Sequence, residues 1–222
     1  MRTWAENIYQ FYSQLEPPSE LPNSIEYLFP QKDPQVLQVV KAFLDKYYND
    51  SKKRRLVLGI NPGRFGAGVT GVNFTAPKQL TEPLKIHHPF KQQTELSAEF
   101  IYEMIEAYGG AEKFYRSYFL GSVCPLGFVQ GGKNINYYDD KELLKTIEPF
   151  IISSINTQLS FPVEKGSCFC IGGEKNYKYL LSLNERFKWV NKIVPLPHPR
   201  FIMQYKRKQK EEYIQQYLAA FG

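Results

Sequence analysis

A glycine-rich segment is the first part of the sequence whose spacing could bind a cofactor. Residues 66–71, Gly-Ala-Gly-Val-Thr-Gly, have the G-x-G-x-x-G spacing of dinucleotide-binding loops. In such a loop the first glycine directly follows a strand, whereas here Pro62 and several other residues separate it from the apolar run at 56–60. No Gly-Lys-Ser or Gly-Lys-Thr follows to make a P-loop. We therefore expect no nicotinamide, flavin or other organic cofactor.

The three cysteines give little basis for a metal site or a disulfide framework. Cys124, Cys168 and Cys170 are an odd and sparse set, whereas structural zinc and iron–sulfur sites normally use four ligands. Cys168 and Cys170 alternate with Phe169, so both can face one buried layer of a strand. We expect them to be core residues of a protein from a reducing compartment, with no metal bound.

Three loops with unusual chemistry follow apolar runs. They span 61–77, 122–134 and 197–202, and they hold Asn61-Pro62-Gly63, Cys124-Pro125 and Pro197-His198-Pro199. In parallel α/β sheets, ligands bind beyond the carboxyl ends of the strands. If the apolar runs are parallel strands, these loops converge on one site.

The order of apolar runs and amphipathic segments predicts the fold. Strands are predicted near 56–60, 115–123, 166–171 and 189–196. Helices are predicted over 3–16, 33–48, 97–108, 139–157, 174–186 and 201–220, the first with a Thr3–Glu6 capping box. This alternation predicts a single α/β domain over 1–222, a three-layer α/β/α sandwich with a central four-stranded, mainly parallel sheet.

Composition favours some partners over others. The net charge of +6 favours polyanions, and the 15% of aromatic residues leaves rings for stacking on a ligand as well as for the core. No stretch resembles a signal peptide or approaches the roughly 20 apolar residues of a membrane span. We expect a cytoplasmic monomer with no membrane partner.

Three motifs, in order and at strand ends, resemble those of one enzyme family. Residues 59–66, Gly-Ile-Asn-Pro-Gly-Arg-Phe-Gly, with Thr70-Gly71-Val72-Asn73-Phe74, resemble the first motif of the bacterial branch of the single-strand-selective monofunctional uracil-DNA glycosylases. Cys124-Pro125-Leu126 with Gly132-Lys133-Asn134, and then His198-Pro199-Arg200, resemble the middle and last motifs. The resemblance covers residues 59–200 and implies the uracil-DNA glycosylase superfamily.

The resemblance assigns roles to particular residues. Asn61 positions the attacking water, which an amide orients without acting as a strong base. His198 donates a hydrogen bond to the base oxygen where negative charge develops. Phe74 stacks on the flipped base, and Ile60 belongs to the same base pocket. Gly63 occupies a position where other branches carry a bulky tyrosine, so it leaves room for larger bases.

The sequence departs from the family in the base pocket and in the last motif. Ser122 stands where the family has an Asn that contacts uracil with two hydrogen bonds, and one hydroxyl cannot replace an amide's paired donor and acceptor. Asn134 and Asn73 are the candidates to compensate. The last motif lacks two residues between His and Arg. Candidates for the wedge that fills the gap left by the flipped nucleotide, and for the contacts with DNA around it, are Arg200, Phe201, Ile202 and Lys206.

The leading hypothesis is a monofunctional DNA glycosylase that removes uracil or another deaminated base, such as xanthine or hypoxanthine, without metal or cofactor. The alternative is a catalytically weak damaged-DNA-binding protein on the same scaffold, which the presence of both Asn61 and His198 disfavours. A third hypothesis, a nicotinamide-dependent oxidoreductase, rests only on the glycine-rich segment.

Overall fold

A computed structural model describes residues 2–222, which form two sheets. The strands, in chain order, are β1 (Ile25–Leu28), β2 (Arg54–Gly59), β3 (Tyr118–Ser122), β4 (Gly127–Gln130), β5 (Lys133–Ile135), β6 (Val163–Ile171) and β7 (Lys192–Leu196). The larger sheet has the order β3-β2-β6-β7, and all its neighbouring strands are parallel. The predicted four-stranded parallel sheet is therefore confirmed.

Helices surround this sheet and connect its strands. They are α1 (Trp4–Ser13), α2 (Pro34–Tyr47), α3 (Ala67–Thr70), α4 (Pro77–Thr81), α5 (Leu96–Tyr108), α6 (Ala111–Ser117), α7 (Lys141–Ser160), α8 (Gly173–Phe187), α9 (Pro199–Tyr205) and α10 (Lys210–Phe221). Short 3₁₀ turns lie at Pro30–Lys32 and Arg207–Gln209. The capping box between Thr3 and Glu6 is present at the start of α1, as predicted.

The two faces of the sheet are covered by different helices. Leu56, Leu58 and Cys168 face Ile155 of α7 and Leu180 of α8. On the opposite face, Phe169 and Tyr118 pack their rings against Phe221 of α10. The three layers follow from the alternation of buried side chains along each strand, which gives each face its own apolar surface. All three cysteines are buried.

The smaller sheet was not predicted. It is antiparallel with the order β1-β4-β5, and its strands, of three or four residues each, are too short for a clear alternating pattern. It approaches the loop after β2 closely, because a β-carbon at Gly127 would come within 2.5 Å of the Pro62 carbonyl oxygen. Glycine at 127 therefore lets the β4–β5 hairpin lie beside Asn61.

Two predicted boundaries were wrong. The strand predicted over 115–123 begins only at Tyr118, since Ala111–Ser117 forms a helix whose Phe114 and Tyr115 are buried. The helix predicted over 201–220 is two helices, α9 and α10, separated by Lys206 and the 3₁₀ turn. The first of them, α9, follows β7 directly at the carboxyl edge of the sheet.

Candidate active site

A cavity of about 350 Å³ lies at the carboxyl edge of the parallel sheet. Asn61 after β2, Ser122 at the end of β3 and His198 after β7 all line it. Parallel strands bring their carboxyl ends to one edge, so residues far apart in the chain meet there. The expected convergence of the three loops is confirmed.

The side chain of Asn61 is held in place by backbone groups around it. The Tyr137 backbone N–H donates to Asn61 Oδ1 at 3.1 Å. Asn61 Nδ2 makes only long contacts, 3.3 Å to the Pro62 carbonyl and 3.4 Å to the Ile135 carbonyl. An amide oxygen has two lone pairs, so Oδ1 keeps one acceptor site for a water molecule while its orientation is fixed.

His198 is half-buried at the start of α9, where its side chain caps the helix. Its Nδ1 accepts a hydrogen bond from the Arg200 backbone N–H at 3.0 Å. Burial, with a smaller contribution from the Arg200 guanidinium, lowers the pKa of His198 to about 4. The ring is therefore neutral at pH 7, and because Nδ1 accepts, its one N–H is at Nε2. This arrangement leaves Nε2–H free as a donor.

Phe74 also lines the cavity, and its ring lies against the end of β2. A β-carbon at Gly59 would come within 2.8 Å of the Phe74 ring. The Phe74 backbone has φ 54°, which is uncommon for a residue with a side chain. The site keeps this ring in position at a conformational cost, which points to a ligand-binding role.

Ser122 is 3% exposed, and its hydroxyl has no hydrogen-bond partner among the described residues. The neighbouring Gly121 lies on the opposite side of β3, where a β-carbon would clash with Gln158 of α7. Because successive side chains of a strand alternate, Ser122 faces away from α7. Buried hydroxyls are normally paired, so this unpaired one marks a position where a ligand can bind.

Gly63, Ile60 and Asn134 line the same cavity. Asn134 is exposed on β5, and its Oδ1 accepts a hydrogen bond from the Arg64 backbone N–H at 3.2 Å. A β-carbon at Gly63 would have one close neighbour, Asn134 Nδ2 at 3.2 Å. A larger side chain at position 63 would therefore crowd the rim of the cavity at Asn134.

The four wedge and DNA-contact candidates lie on or next to α9, and the structure separates them. Arg200 and Phe201 line the cavity and are exposed, Phe201 by 45%. Ile202 is 0% exposed and packs in the core, so its prediction as a wedge was wrong. Successive residues of a helix are about 100° apart around its axis, so Ile202 can face the core although Phe201 faces solvent. Lys206 is exposed just beyond the helix but does not line the cavity.

Sequence reasoning missed Tyr205, which is 72% exposed and lines the cavity mouth. Its ring centroid lies 5.7 Å from that of Phe201. The two positions are four residues apart, a spacing that places side chains on one helix face. Tyr205 is distinguished by the exposure of its large aromatic ring. The sequence does not show exposure, so it gave no signal that could have identified this residue.

The described residues give little support for metal binding or membrane insertion. Within 2–222, no cluster of three or more His, Cys, Asp or Glu side chains is placed to hold a metal ion. No helix in the same range combines the length and the apolar character needed to cross a bilayer.

Comparisons with known proteins show which family the chain belongs to. A family model for the uracil DNA glycosylase superfamily matches residues 46–222. The crystal structure of wild-type SMUG2 from Pedobacter heparinus is similar at 46% sequence identity, with a TM-score of 0.95, over 100% of this chain and 97% of that chain. The sequence match extends over most of the chain, and the structural match over all of it. The chain therefore belongs to the uracil DNA glycosylase superfamily.

Proposed function

We propose that the protein is a monofunctional DNA glycosylase that hydrolyses the N-glycosidic bond of uracil or another deaminated base. The observation that carries the proposal is that Asn61 and His198 line one cavity. Asn61 presents an oxygen that can accept from the attacking water, and His198 presents an N–H that can donate to the leaving base. A damaged nucleotide must leave the base stack to reach such a cavity.

Asn61 acts on the water side of the reaction. A water held at Asn61 Oδ1 attacks C1′ of the deoxyribose as the bond from C1′ to the base nitrogen breaks. The amide orients the water without taking its proton, which suffices when the sugar has oxocarbenium character and needs only a weak nucleophile. The products are an abasic sugar with a hydroxyl at C1′ and a free base, which gains the proton that the water loses.

His198 acts on the base side. The bonding electrons leave with the base, and negative charge develops on its carbonyl oxygen. The neutral imidazole donates its Nε2–H to that oxygen, an orientation supported by the Arg200 N–H bond to Nδ1. A preorganised donor of this kind stabilises the transition state by about 3 kcal/mol. The lowered pKa means that the residue acts as a hydrogen-bond donor and not as a proton donor at neutral pH.

Side chains around the cavity support a water nucleophile and DNA binding. The residues that line the cavity include no lysine that could form a Schiff base. In this proposal Phe74 stacks on the extruded base, and Phe201 and Arg200, which also line the cavity, contact the DNA strand. Exposed Lys206, Arg207 and Lys208 follow α9 and favour DNA phosphates nearby.

The proposal is tested with oligonucleotides that carry uracil, 5-hydroxymethyluracil, xanthine or hypoxanthine, in single and double strands. After incubation, alkali cleaves the strand at each abasic site. We expect cleavage with at least one lesion and its loss in the Asn61→Ala, His198→Ala double variant. Binding of all lesions with no base release by the wild-type protein would instead establish a damaged-DNA-binding protein.

A further inference from the structure

The wall of the cavity beside Phe74 has hydrogen-bonding groups that the steps above leave unused. Gly59 and Ser122 are paired across β2 and β3, so their side-chain positions lie on the same face of the sheet. The Phe74 ring packs on that face at Gly59. The unpaired Ser122 hydroxyl is therefore on the side of the sheet where a stacked base would lie.

Asn73 lines the same wall, and the direction of its amide is determined by its neighbours. Asn73 Nδ2 donates to the Tyr12 hydroxyl at 3.0 Å and to the Leu120 carbonyl at 3.1 Å. Turning the amide over would place two oxygens together at Leu120. Both N–H groups are thus used, and only Oδ1, which has no partner within residues 2–222, is left for a ligand.

Tyr12 fixes this arrangement from the first helix. It is buried on α1, outside the range 46–222 that matches the superfamily. Burial raises the pKa of Tyr12 to about 12, so its hydroxyl stays protonated and neutral at pH 7. A neutral hydroxyl accepts from Nδ2 and so helps to hold the Asn73 amide in this orientation.

The wall therefore presents an acceptor, Asn73 Oδ1, and a hydroxyl that can donate, that of Ser122. The Leu120 carbonyl accepts a hydrogen bond from Asn73. Leu120 and Ser122 are two residues apart on β3, so their side chains lie on one face and their Cα atoms are about 7 Å apart. Deamination replaces an exocyclic amino group by a carbonyl and puts a hydrogen on the adjacent ring nitrogen. Uracil, hypoxanthine and xanthine share the resulting carbonyl–N–H edge, which is complementary to a donor beside an acceptor.

We infer that Ser122 and Asn73 together recognise this carbonyl–N–H edge, with Tyr12 as the positioning residue. The inference rests on the proposed function and assigns the residues that would select the base. Cytosine and adenine present a ring nitrogen lone pair to Asn73 Oδ1, so this acceptor is left unpaired, whereas the Ser122 hydroxyl could still accept from the amino group. Thymine and guanine carry the same edge as deaminated bases, so their exclusion depends on cavity shape and duplex pairing.

Binding measurements separate recognition of the base from the chemistry. The probes are oligonucleotides with 2′-fluoro-2′-deoxyuridine, whose fluorine slows bond cleavage, with its 3-methyl derivative, which lacks the N–H, and with a tetrahydrofuran abasic analogue. Fluorescence anisotropy gives Kd for each. We expect Asn73→Ala to weaken binding of the uracil probe about tenfold and to leave Kd for the other two probes unchanged. An equal loss on all three probes would overturn the role of Asn73.

Tyr12→Phe tests positioning, because the hydroxyl does not contact the base. Tyr48→Phe is the matched control, since its buried hydroxyl bonds the Tyr118 carbonyl on the same strand, β3, but away from the cavity. We expect both variants to melt at similar temperatures. Only Tyr12→Phe should lower the preference for the uracil probe over the abasic probe, by threefold or more. If both variants keep the wild-type preference, Tyr12 has only a structural role.

Ser122→Ala completes the series and should weaken binding of uracil and hypoxanthine probes to a similar extent. A loss confined to uracil would overturn recognition of the shared carbonyl–N–H edge by Ser122. These outcomes are distinct from failure of the proposed function, which is measured as absence of base release by the wild-type protein. The binding preferences can be measured in either case.

Discussion

The Phe74 ring lies so close to Gly59 that a β-carbon at position 59 would be 2.8 Å from Phe74 Cζ and 2.9 Å from Cε2. We expect Gly59→Ala to displace the ring, to slow base release at least tenfold and to cost about 1–3 kcal/mol of stability through overpacking. Single-turnover rates and denaturant unfolding measure the two effects. Gly166→Ala on β6 is the control, because nothing lies within 4 Å of its new β-carbon; equal behaviour of the two variants would contradict the prediction.

The lowered pKa of His198 predicts how stability depends on pH. In the unfolded chain the imidazole binds a proton near its ordinary pKa of 6.5, whereas the folded protein resists protonation until about pH 4. Between these values the unfolded state holds more protons, so stability falls as the pH decreases from 6.5 to 4. Wild type should lose about 2–4 kcal/mol more over this range than His198→Gln. Parallel curves for the two proteins in urea unfolding would show that His198 titrates normally.

Replacement of Asn61 should affect the chemical step more than DNA binding. Asn61→Ala removes the oxygen that orients the water, and we expect the single-turnover rate to fall by about 10²–10³-fold. The Kd for an abasic-site analogue should change less than threefold. Asn156→Ala is a control, because its amide accepts from Trp189 on the exposed surface of α7. A large loss of binding with an unchanged rate would reassign Asn61 to DNA contact.

Substitutions of two neighbouring residues on α9 should have different effects, one on stability and the other on DNA binding. Ile202→Ala deletes a fully buried side chain and should cost about 2–5 kcal/mol of unfolding free energy. Phe201→Ala removes an exposed ring and should cost less than 1 kcal/mol, while it weakens binding to lesion-containing DNA by fivefold or more. Unfolding curves and anisotropy titrations test both. The reverse pattern would contradict the placement of Ile202 in the core and of Phe201 at the DNA.

Aromatic stacking at the cavity mouth gives a further prediction for Tyr205. Its ring is exposed next to Phe201, so Tyr205→Ala should weaken binding to single-stranded DNA, whereas Tyr205→Phe should retain it. Phe187→Ala is the control, because Phe187 is also exposed and stacks on Trp189, and both precede β7 at the far end of the sheet. Equal losses for Phe187→Ala and Tyr205→Ala would indicate nonspecific effects of removing surface rings.

Much of the fold was predictable because the strands at 56–60 and 166–171 are short apolar runs bounded by glycine or proline. The capping box of α1 was predictable because it is a local pattern. The small antiparallel sheet was not, since β5 has three residues and its pairing with β4 depends on the close approach that Gly127 permits. A strand of that length has no periodicity from which to predict it.

The convergence of Asn61 and His198 on one cavity was predictable, because each motif coincides with a strand end. The positions of residues that depend on a tertiary contact could not be predicted. The sequence does not show that Ile202 turns into the core, that Tyr205 stays in solvent, or that Tyr12 reaches Asn73 across 61 positions. The helix break at Lys206 has the same cause, because burial of both flanking segments overrides a continuous helical pattern.

In the proposed mechanism, α9 links binding of the DNA strand to the position of the His198 imidazole. His198 caps the helix and Phe201 follows three residues later, about 4.5 Å along the axis. Buried Ile202 and Met203 fix the helix in the core, with α5 packed beside it. The imidazole and the ring are therefore held at a fixed spacing by one buried helix. If the proposed function holds, we expect a nucleic acid that does not seat against the ring to place its sugar wrongly relative to the imidazole, so that poorly fitting strands are released intact.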